Sequence, residues 1–352
     1  MYKNLNNSIT NNFKNNFWIN IIVFFYLTIV LVNFFHNNYN PYKKIENKIE
    51  NVNSQIFTKA GGENSNLQIY ISNELTSEKE YSFILDRTCK ITGDMHDRHK
   101  VRWVKSIFLK KIFNFSEQFG QTAPYYLNIF LHSLVLFLTF FLINNSFTYN
   151  KKYNYLFLVY ITFIFQQYLG EYSYSIFEMF FLSLALYASK EKKIYIFFLA
   201  CALAVLNRES GFIILLTWFI FNDDIRKILL ISFLTMLLFL ILNLDLMDCL
   251  INPKFFIPLE NQVGQINYLE MHNANIFSNF KLLFLNLLLP FGLIFYFVMN
   301  SSEKNKALIT VSVVYFLAFT LASPAHHMAI KMILLPIIFV AIHFSQEKRE
   351  II

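Results

Sequence analysis

Residues 17–35 read FWINIIVFFYLTIVLVNFF, a run of mostly large apolar side chains without a charge. A helix needs about 20 such residues to cross about 30 Å of hydrocarbon. The run ends in Val32 to His36, which are mostly large, whereas a secretory signal peptide ends in small residues at its cleavage site. With Lys3 and Lys14 ahead of it, this stretch predicts an uncleaved membrane anchor with a cytoplasmic N-terminus.

Nine further apolar segments follow the anchor, and basic residues return on every second connection between them. The predicted segments are 125–143, 155–169, 174–188, 194–206, 211–221, 228–244, 282–299, 307–322 and 329–344. The basic residues of the alternate connections are Lys151, Lys152, Lys190, Lys192, Lys193, Arg226, Lys227, Lys304, Lys306, Lys348 and Arg349. Since cytoplasmic loops of membrane proteins are rich in Lys and Arg, both termini are predicted to be cytoplasmic.

The pattern predicts one polytopic domain over residues 1–352, an all-α integral membrane protein of about ten transmembrane helices. Composition agrees: 55% of residues are hydrophobic and only 15% charged, far from the balance of a soluble domain. The cytoplasmic loops account for the net charge of +7, so a nucleic-acid partner is not indicated. In a bacterium with two membranes this chain would lie in the inner membrane.

The other connections are predicted to face outwards: 36–124, 170–173, 207–210, 245–281 and 323–328. Cys89 and Cys249 both fall in these outer loops and could form a disulfide or remain apart, because spacing in sequence does not establish the geometry of a bond. Cys201 falls in an apolar segment and is predicted to be buried.

The first outer loop contains the stretch DRTCKITGDMHDRHKVRWVKSIFLKKIFNF at residues 86–115. Its apolar residues Val101, Val104, Phe108, Ile112 and Phe115 recur at helical spacing. Arg98, Arg102 and Lys105 share another face of the same helix. This pattern predicts an amphipathic helix lying in the membrane interface, with a cationic face that could hold a phosphate group.

Acidic and histidine side chains stand directly before that helix, at Asp94, His96, Asp97 and His99. Asp94 or Asp97 could act as a general base on an acceptor hydroxyl, with His96 contacting the substrate beside the cationic face. A divalent metal is an alternative, although the spacing D-x-H-D-x-H is not diagnostic of one. A plain solvated loop is the other alternative.

Further candidates lie at or near the outer ends of later segments. Glu178 lies inside an apolar segment, where a charge is costly, so it should face a polar interior or bond a neighbouring helix. The turn 207–210 carries Arg208, which could bind a lipid phosphate, and Glu209, which could orient it or contact sugar hydroxyls. A hairpin turn closed by a mutual Arg208–Glu209 ion pair is the alternative.

The last outer turn offers a similar choice. His326 and His327 precede Lys331, and all three could contact an anionic donor. Two interfacial histidines and a lysine that extends towards the headgroups are the simpler alternative.

A family resemblance is carried by the entrance to the second segment, Tyr126, Leu127, Asn128, Ile129, Phe130, Leu131 and His132. This run resembles the YhlvNllLH motif of GT-C-type membrane glycosyltransferases, especially the tetratricopeptide-linked O-mannosyltransferase-like group. The long first outer loop with an interfacial helix is similar too.

The resemblance implies transfer of a sugar from a polyprenyl-phosphate donor to a lipid-linked glycan or protein, with Asp94 or Asp97 as base. The sequence departs from the family pattern at 37–44, where the acidic pair is absent, and no tetratricopeptide repeat is present. Walker, dinucleotide, zincin and nucleophile-elbow motifs are missing. A transporter or flippase for an anionic or lipid-linked solute is the competing hypothesis, and a non-catalytic scaffold is a third.

Overall fold

The computed structural model describes residues 21–30, 32, 89, 101–104, 115, 118–119, 123–147, 173–252, 284, 288–299, 306–322 and 328–351. Within these ranges the secondary structure is helical, without a strand. The helices are α1 (Ala123–Phe147), α2 (Ser173–Lys190), α3 (Ile194–Asn207), a long 3₁₀ helix (Glu209–Ile220), α4 (Ile225–Leu242), a short 3₁₀ turn (Leu244–Leu246), α5 (Met247–Leu250), α6 (Leu289–Met299), α7 (Lys306–Ala322) and α8 (Met328–Ile351). Residues Ile21–Val30 of the first predicted segment are helical as well.

The all-α prediction is confirmed for the part of the chain that is described. The predicted segments 125–143, 174–188 and 194–206 coincide with α1, α2 and α3 to within a few residues. The predicted segment 155–169 and most of the interfacial helix lie outside the described residues. Among those residues, α4 is the one helix long and apolar enough to cross a membrane by itself, with a mean hydropathy of 2.3.

The predicted segment 211–221 forms a 3₁₀ helix rather than an α-helix. A 3₁₀ helix rises about 2.0 Å per residue against about 1.5 Å for an α-helix. Its 12 residues therefore reach about 24 Å instead of about 18 Å. The tighter winding lets a short apolar stretch extend along more of the bundle.

Helix α2 lies at the centre of the bundle and packs against α1, α3, α8 and the 3₁₀ helix. The neighbouring α3 buries small side chains, Ala200, Cys201 and Ala204, which permit close approach between helices. The 3₁₀ helix approaches α3 closely at Gly211, where an added Cβ would lie 2.3 Å from the carbonyl carbon of Ala204. Only glycine fits this position without movement of the backbone.

At one end of the bundle, polar contacts join the last turns of α1 and α2 to α8 and to the residues after the 3₁₀ helix. Lys190 Nζ donates a hydrogen bond to the Ser146 carbonyl and lies 3.2 Å from His343 Nε2. Asn222 Nδ2 donates to the Ser189 carbonyl at 2.8 Å. The end of α3 and the start of the 3₁₀ helix lie at the opposite end of α2.

Helix α4 buries only a narrow stripe of side chains. The buried residues are Ile228, Ile231, Thr235 and Phe239. Its exposed large apolar residues are Ile225, Leu229, Leu230, Phe233, Leu234, Met236, Leu237 and Ile241. An apolar surface of this extent is typical of contact with lipid or with another protein.

Candidate functional site

The turn between α3 and the 3₁₀ helix sets two charged side chains next to each other in sequence. Helix α3 ends at Asn207, and Arg208 takes an extended backbone conformation with φ −162° and ψ 149°. The 3₁₀ helix begins immediately afterwards at Glu209. Because the helical path is broken at Arg208, the two side chains reach different partners.

Glu209 pairs with Arg102 of the first predicted outer loop. Arg102 Nε donates to Glu209 Oε1 at 3.2 Å, and Arg102 Nη2 donates to Glu209 Oε2 at 3.0 Å. The Arg102 side chain is 4% exposed and that of Glu209 is 30% exposed. Two parallel bonds between a guanidinium and a carboxylate fix both distance and orientation.

Arg208 and Ser210 contact Glu178, which is fully buried on α2. Ser210 Oγ donates a hydrogen bond to Glu178 Oε1 at 2.7 Å. Arg208 Nη1 lies 3.9 Å from Glu178 Oε2, and within the described residues Oε2 accepts no hydrogen bond. A buried carboxylate is stabilised only when a cation and donors compensate for lost water.

We call Arg102, Glu178, Arg208, Glu209 and Ser210 the arginine–glutamate cluster. Its two ion pairs place one member of each in the interior, Arg102 and Glu178. The other members are open to solvent, with 18% of the Arg208 side chain and 30% of the Glu209 side chain exposed. Buried Arg102 therefore orients Glu209, and buried Glu178 orients Arg208, which are the two charged side chains that a ligand can reach.

Side chains from two more helices lie near the cluster. Tyr315 of α7 is buried and interacts electrostatically with Glu178. His132, the last residue of the family-like run on α1, packs edge to face on Phe177 with ring centroids 5.7 Å apart. The cluster thus joins α2 to the turn after α3, with Tyr315 of α7 beside Glu178, and α1 packs on the residue that precedes Glu178.

Two contacts connect the first predicted outer loop to the segment that follows α4. Cys89 and Cys249 form a disulfide with a Cα–Cα distance of 5.5 Å, which resolves the choice that the sequence left open. Trp103 Nε1 donates a hydrogen bond to Asn243 Oδ1 at 3.2 Å. Cys201 is a buried free thiol, as predicted.

The structure gives partners to four of the predicted site residues. Arg102, predicted on one helix face with Arg98 and Lys105, is buried, and its guanidinium reaches inwards to Glu209. Arg208 and Glu209 each pair with a residue from elsewhere in the chain, so the alternative of a turn closed by their mutual ion pair is not what the structure shows. Glu178 faces polar side chains and also bonds a neighbouring element, through Ser210.

The roles of the remaining predicted site residues stay predictions. Asp94, His96, Asp97, Arg98, Lys105, His326 and His327 lie outside the described residues, and Lys331 lies in α8. Among the residues that are described, no three His, Cys, Asp or Glu side chains group as metal ligands.

Sequence reasoning missed the roles of Ser210, Trp103, Asn243 and Tyr315. Ser210 was part of the predicted polar turn, but no pattern indicated that its hydroxyl bonds a glutamate on another helix. Asn243 gave a weak signal, as an amide in the apolar run ILNLDL at 241–246. Trp103 and Tyr315 gave none, because aromatic residues are abundant throughout the chain.

The Arg102–Glu209 pair should make stability depend on pH. Glu209 lies in the turn, outside the predicted spans; burial raises the pKa of its carboxyl, but Arg102 outweighs burial and holds the pKa below the ordinary 4.5. A lowered pKa stabilises the fold above pH 4.5 and this contribution is lost as pH falls below that value through the folded-state pKa. We expect the melting temperature in detergent to fall over this range, and less steeply in Glu209→Gln. An equal slope in both proteins would contradict the assignment.

No protein-family model, curated protein or solved structure matches this chain.

Proposed function

We propose that this chain is a membrane glycosyltransferase of GT-C type, which moves a sugar from a polyprenyl-phosphate donor to a lipid-linked glycan or protein. One observation carries the proposal: Arg102 of the first outer loop, Arg208 and Glu209 of the turn, and Glu178 of α2 meet in one partly exposed cluster. A site for a lipid phosphate needs such cations at the end of a bundle, next to carboxylates that can accept bonds from sugar hydroxyls.

Placement as a ten-span protein of the inner membrane, with both termini cytoplasmic, is part of the proposal. The contacts of Lys190 with Ser146 and His343, and of Asn222 with Ser189, support it, because all five residues lie at the predicted cytoplasmic ends of their segments. The disulfide supports it as well, because both cysteines belong to predicted outer loops and disulfides persist in oxidising compartments such as the periplasm. The exposed apolar side of α4 would then face lipid.

The members of the cluster differ in side-chain exposure, and we assign their roles accordingly. Arg208 is the accessible cation and would bind the donor phosphate through its planar guanidinium. Glu209 is the accessible carboxylate, and its lowered pKa makes it a good acceptor from sugar hydroxyls but a weak base. The base is therefore assigned to Asp94 or Asp97 of the same loop as Arg102.

The proposed reaction balances without a further reactant. The acceptor hydroxyl oxygen forms a bond to the anomeric carbon of the sugar, and the bond from that carbon to the phosphate oxygen breaks. Polyprenyl phosphate leaves with the bonding electron pair, held by Arg208. The hydroxyl proton passes to the carboxylate of Asp94 or Asp97.

The experiment compares sugar transfer by the intact chain in liposomes with Asp94→Asn and Asp97→Asn at matched expression. Loss of a general base typically lowers the rate about 10²- to 10⁴-fold, so one of the two variants should lose transfer. Asp223→Asn is the matched control, because Asp223 is exposed at the predicted cytoplasmic end. Full transfer in both Asp94 and Asp97 variants would contradict the base assignment.

A transporter or flippase for an anionic or lipid-linked solute is favoured by a different observation. Glu178 is fully buried in a predicted span, and its Oε2 accepts no hydrogen bond from the described residues. Ionisable groups in such positions often line solute or proton pathways. Solute movement that is abolished by Glu178→Gln, with no sugar transfer from any donor, would favour this second function.

A further inference from the structure

The disulfide joins the chain segment ahead of Arg102 to the segment after α4. Cys89 and Cys249 are 160 residues apart in sequence, and Cys249 is fully buried. The bond therefore fixes part of the first outer loop against the helical bundle rather than against another exposed loop end.

A second contact ties the same two segments together. Trp103, the residue after Arg102, donates to Asn243 Oδ1 at 3.2 Å. Asn243 is itself held, because its Nδ2 donates to the Phe239 carbonyl at 2.8 Å in the last turn of α4. Val101, directly before Arg102, and Val104, two residues after it, are buried as well, with 1% and 8% of their surface exposed.

We propose that the Cys89–Cys249 disulfide is a positioning crosslink that holds Arg102 in the arginine–glutamate cluster. Arg102 lies 107 residues from Glu209 in sequence, so their meeting costs the conformational entropy of a long loop. A crosslink in the chain segment ahead of Arg102 removes part of that freedom and raises the effective concentration of the Arg102 guanidinium at Glu209.

The proposal implies that the orientation of Glu209, an accessible member of the cluster, depends on whether the Cys89–Cys249 disulfide is oxidised or reduced. A dithiol reductant converts the disulfide into two thiols and is itself oxidised to a cyclic disulfide. Arg102 then loses one of its constraints, and its pairing with Glu209 weakens. Cys201 is buried and away from this exchange. None of this requires the sugar-transfer proposal to be correct.

The test is a double-mutant cycle of Arg102→Gln and Glu209→Gln, measured as melting temperature in detergent and repeated in a Cys89→Ser/Cys249→Ser background. With the disulfide present, we expect the effects of the two substitutions to be non-additive by about 3 °C or more. Without the disulfide, this coupling should fall by at least half. If the crosslink only stabilises the whole fold, its removal will lower every melting temperature and leave the coupling unchanged, and that result would overturn the proposal.

Cys201→Ala is the control background, in which the coupling should persist. If the serine background fails to fold, the native chain is used instead. Hydrogen exchange of residues 101–104 is then compared before and after reduction by dithiothreitol. Faster exchange on reduction supports the proposal, and unchanged exchange overturns it. The measurements are thermodynamic coupling and hydrogen exchange, and neither depends on sugar transfer. A failure of this proposal can therefore be distinguished from a failure of the proposed function.

Discussion

Gly211→Ala is expected to destabilise the protein by about 3 kcal/mol or more, the upper end of the range for overpacked sites. The new Cβ would lie 2.3 Å from the carbonyl carbon of Ala204 and 2.4 Å from its oxygen. These are backbone atoms, so no side-chain rotation can relieve the clash. The turn would have to move, and with it Arg208, Glu209 and Ser210. Yield of monodisperse protein and melting temperature in detergent measure the effect.

Gly292→Ala is the matched control, because beyond its chain neighbours and the backbone of its own helix no atom of the described residues lies within 4 Å of the position of its added Cβ. Gly292 lies within α6, where alanine is favoured over glycine by up to about 1 kcal/mol. The control should therefore leave the melting temperature unchanged or raise it slightly. Equal behaviour of the two variants would show that the close approach of the turn to α3 is wrong.

Arg208→Ala is expected to weaken binding of polyprenyl phosphate by about ten- to a hundredfold. A hydrogen bond to a charged group contributes about 1.5–3 kcal/mol, and each 1.4 kcal/mol is about tenfold in Kd. Arg208→Lys should recover part of the loss, because it keeps the charge but not the planar fork. Binding to the purified chain in detergent, measured by native mass spectrometry or thermal shift, gives the result.

Two controls separate binding from folding in this experiment. Arg208→Ala leaves Glu178 buried without the cation 3.9 Å away, which by itself destabilises the fold. Arg208→Ala/Glu178→Gln removes both charges and should fold while still binding the phosphate weakly. Arg226→Ala removes an exposed arginine at the opposite end of the bundle and should bind like the native chain. Equal binding by all variants would contradict a role for Arg208.

The positions of the helices were predictable from sequence, because apolar runs mark the helices and charged residues mark the connections between them. The run 174–188 and helix α2 differ by no more than two residues at either end. The 3₁₀ winding of Glu209–Ile220 was not predictable. It depends on how the turn packs against Ala204 and α2, a tertiary effect that hydrophobic periodicity does not encode.

The sequence predicted which charged residues belong to the candidate site, but it did not predict which of them form ion pairs with each other. Arg208, Glu209 and Glu178 stood out as charges at the ends of or inside apolar segments. The partners could not be deduced, because Arg102 and Glu209 are 107 residues apart and an adjacent Arg–Glu pair suggests a mutual bond. The extended backbone of Arg208 separates these two side chains, and that conformation has no sequence signature here.

The proposed function is tested most directly by incubating the purified intact chain, in liposomes, with a panel of radiolabelled polyprenyl-phosphate sugars and candidate glycan or protein acceptors. We expect one donor to give labelled acceptor and an equal amount of polyprenyl phosphate, in a reaction that Arg208→Ala suppresses and Arg226→Ala does not. No transfer from any donor, together with solute or lipid movement that depends on Glu178, would contradict the proposed glycosyltransferase function.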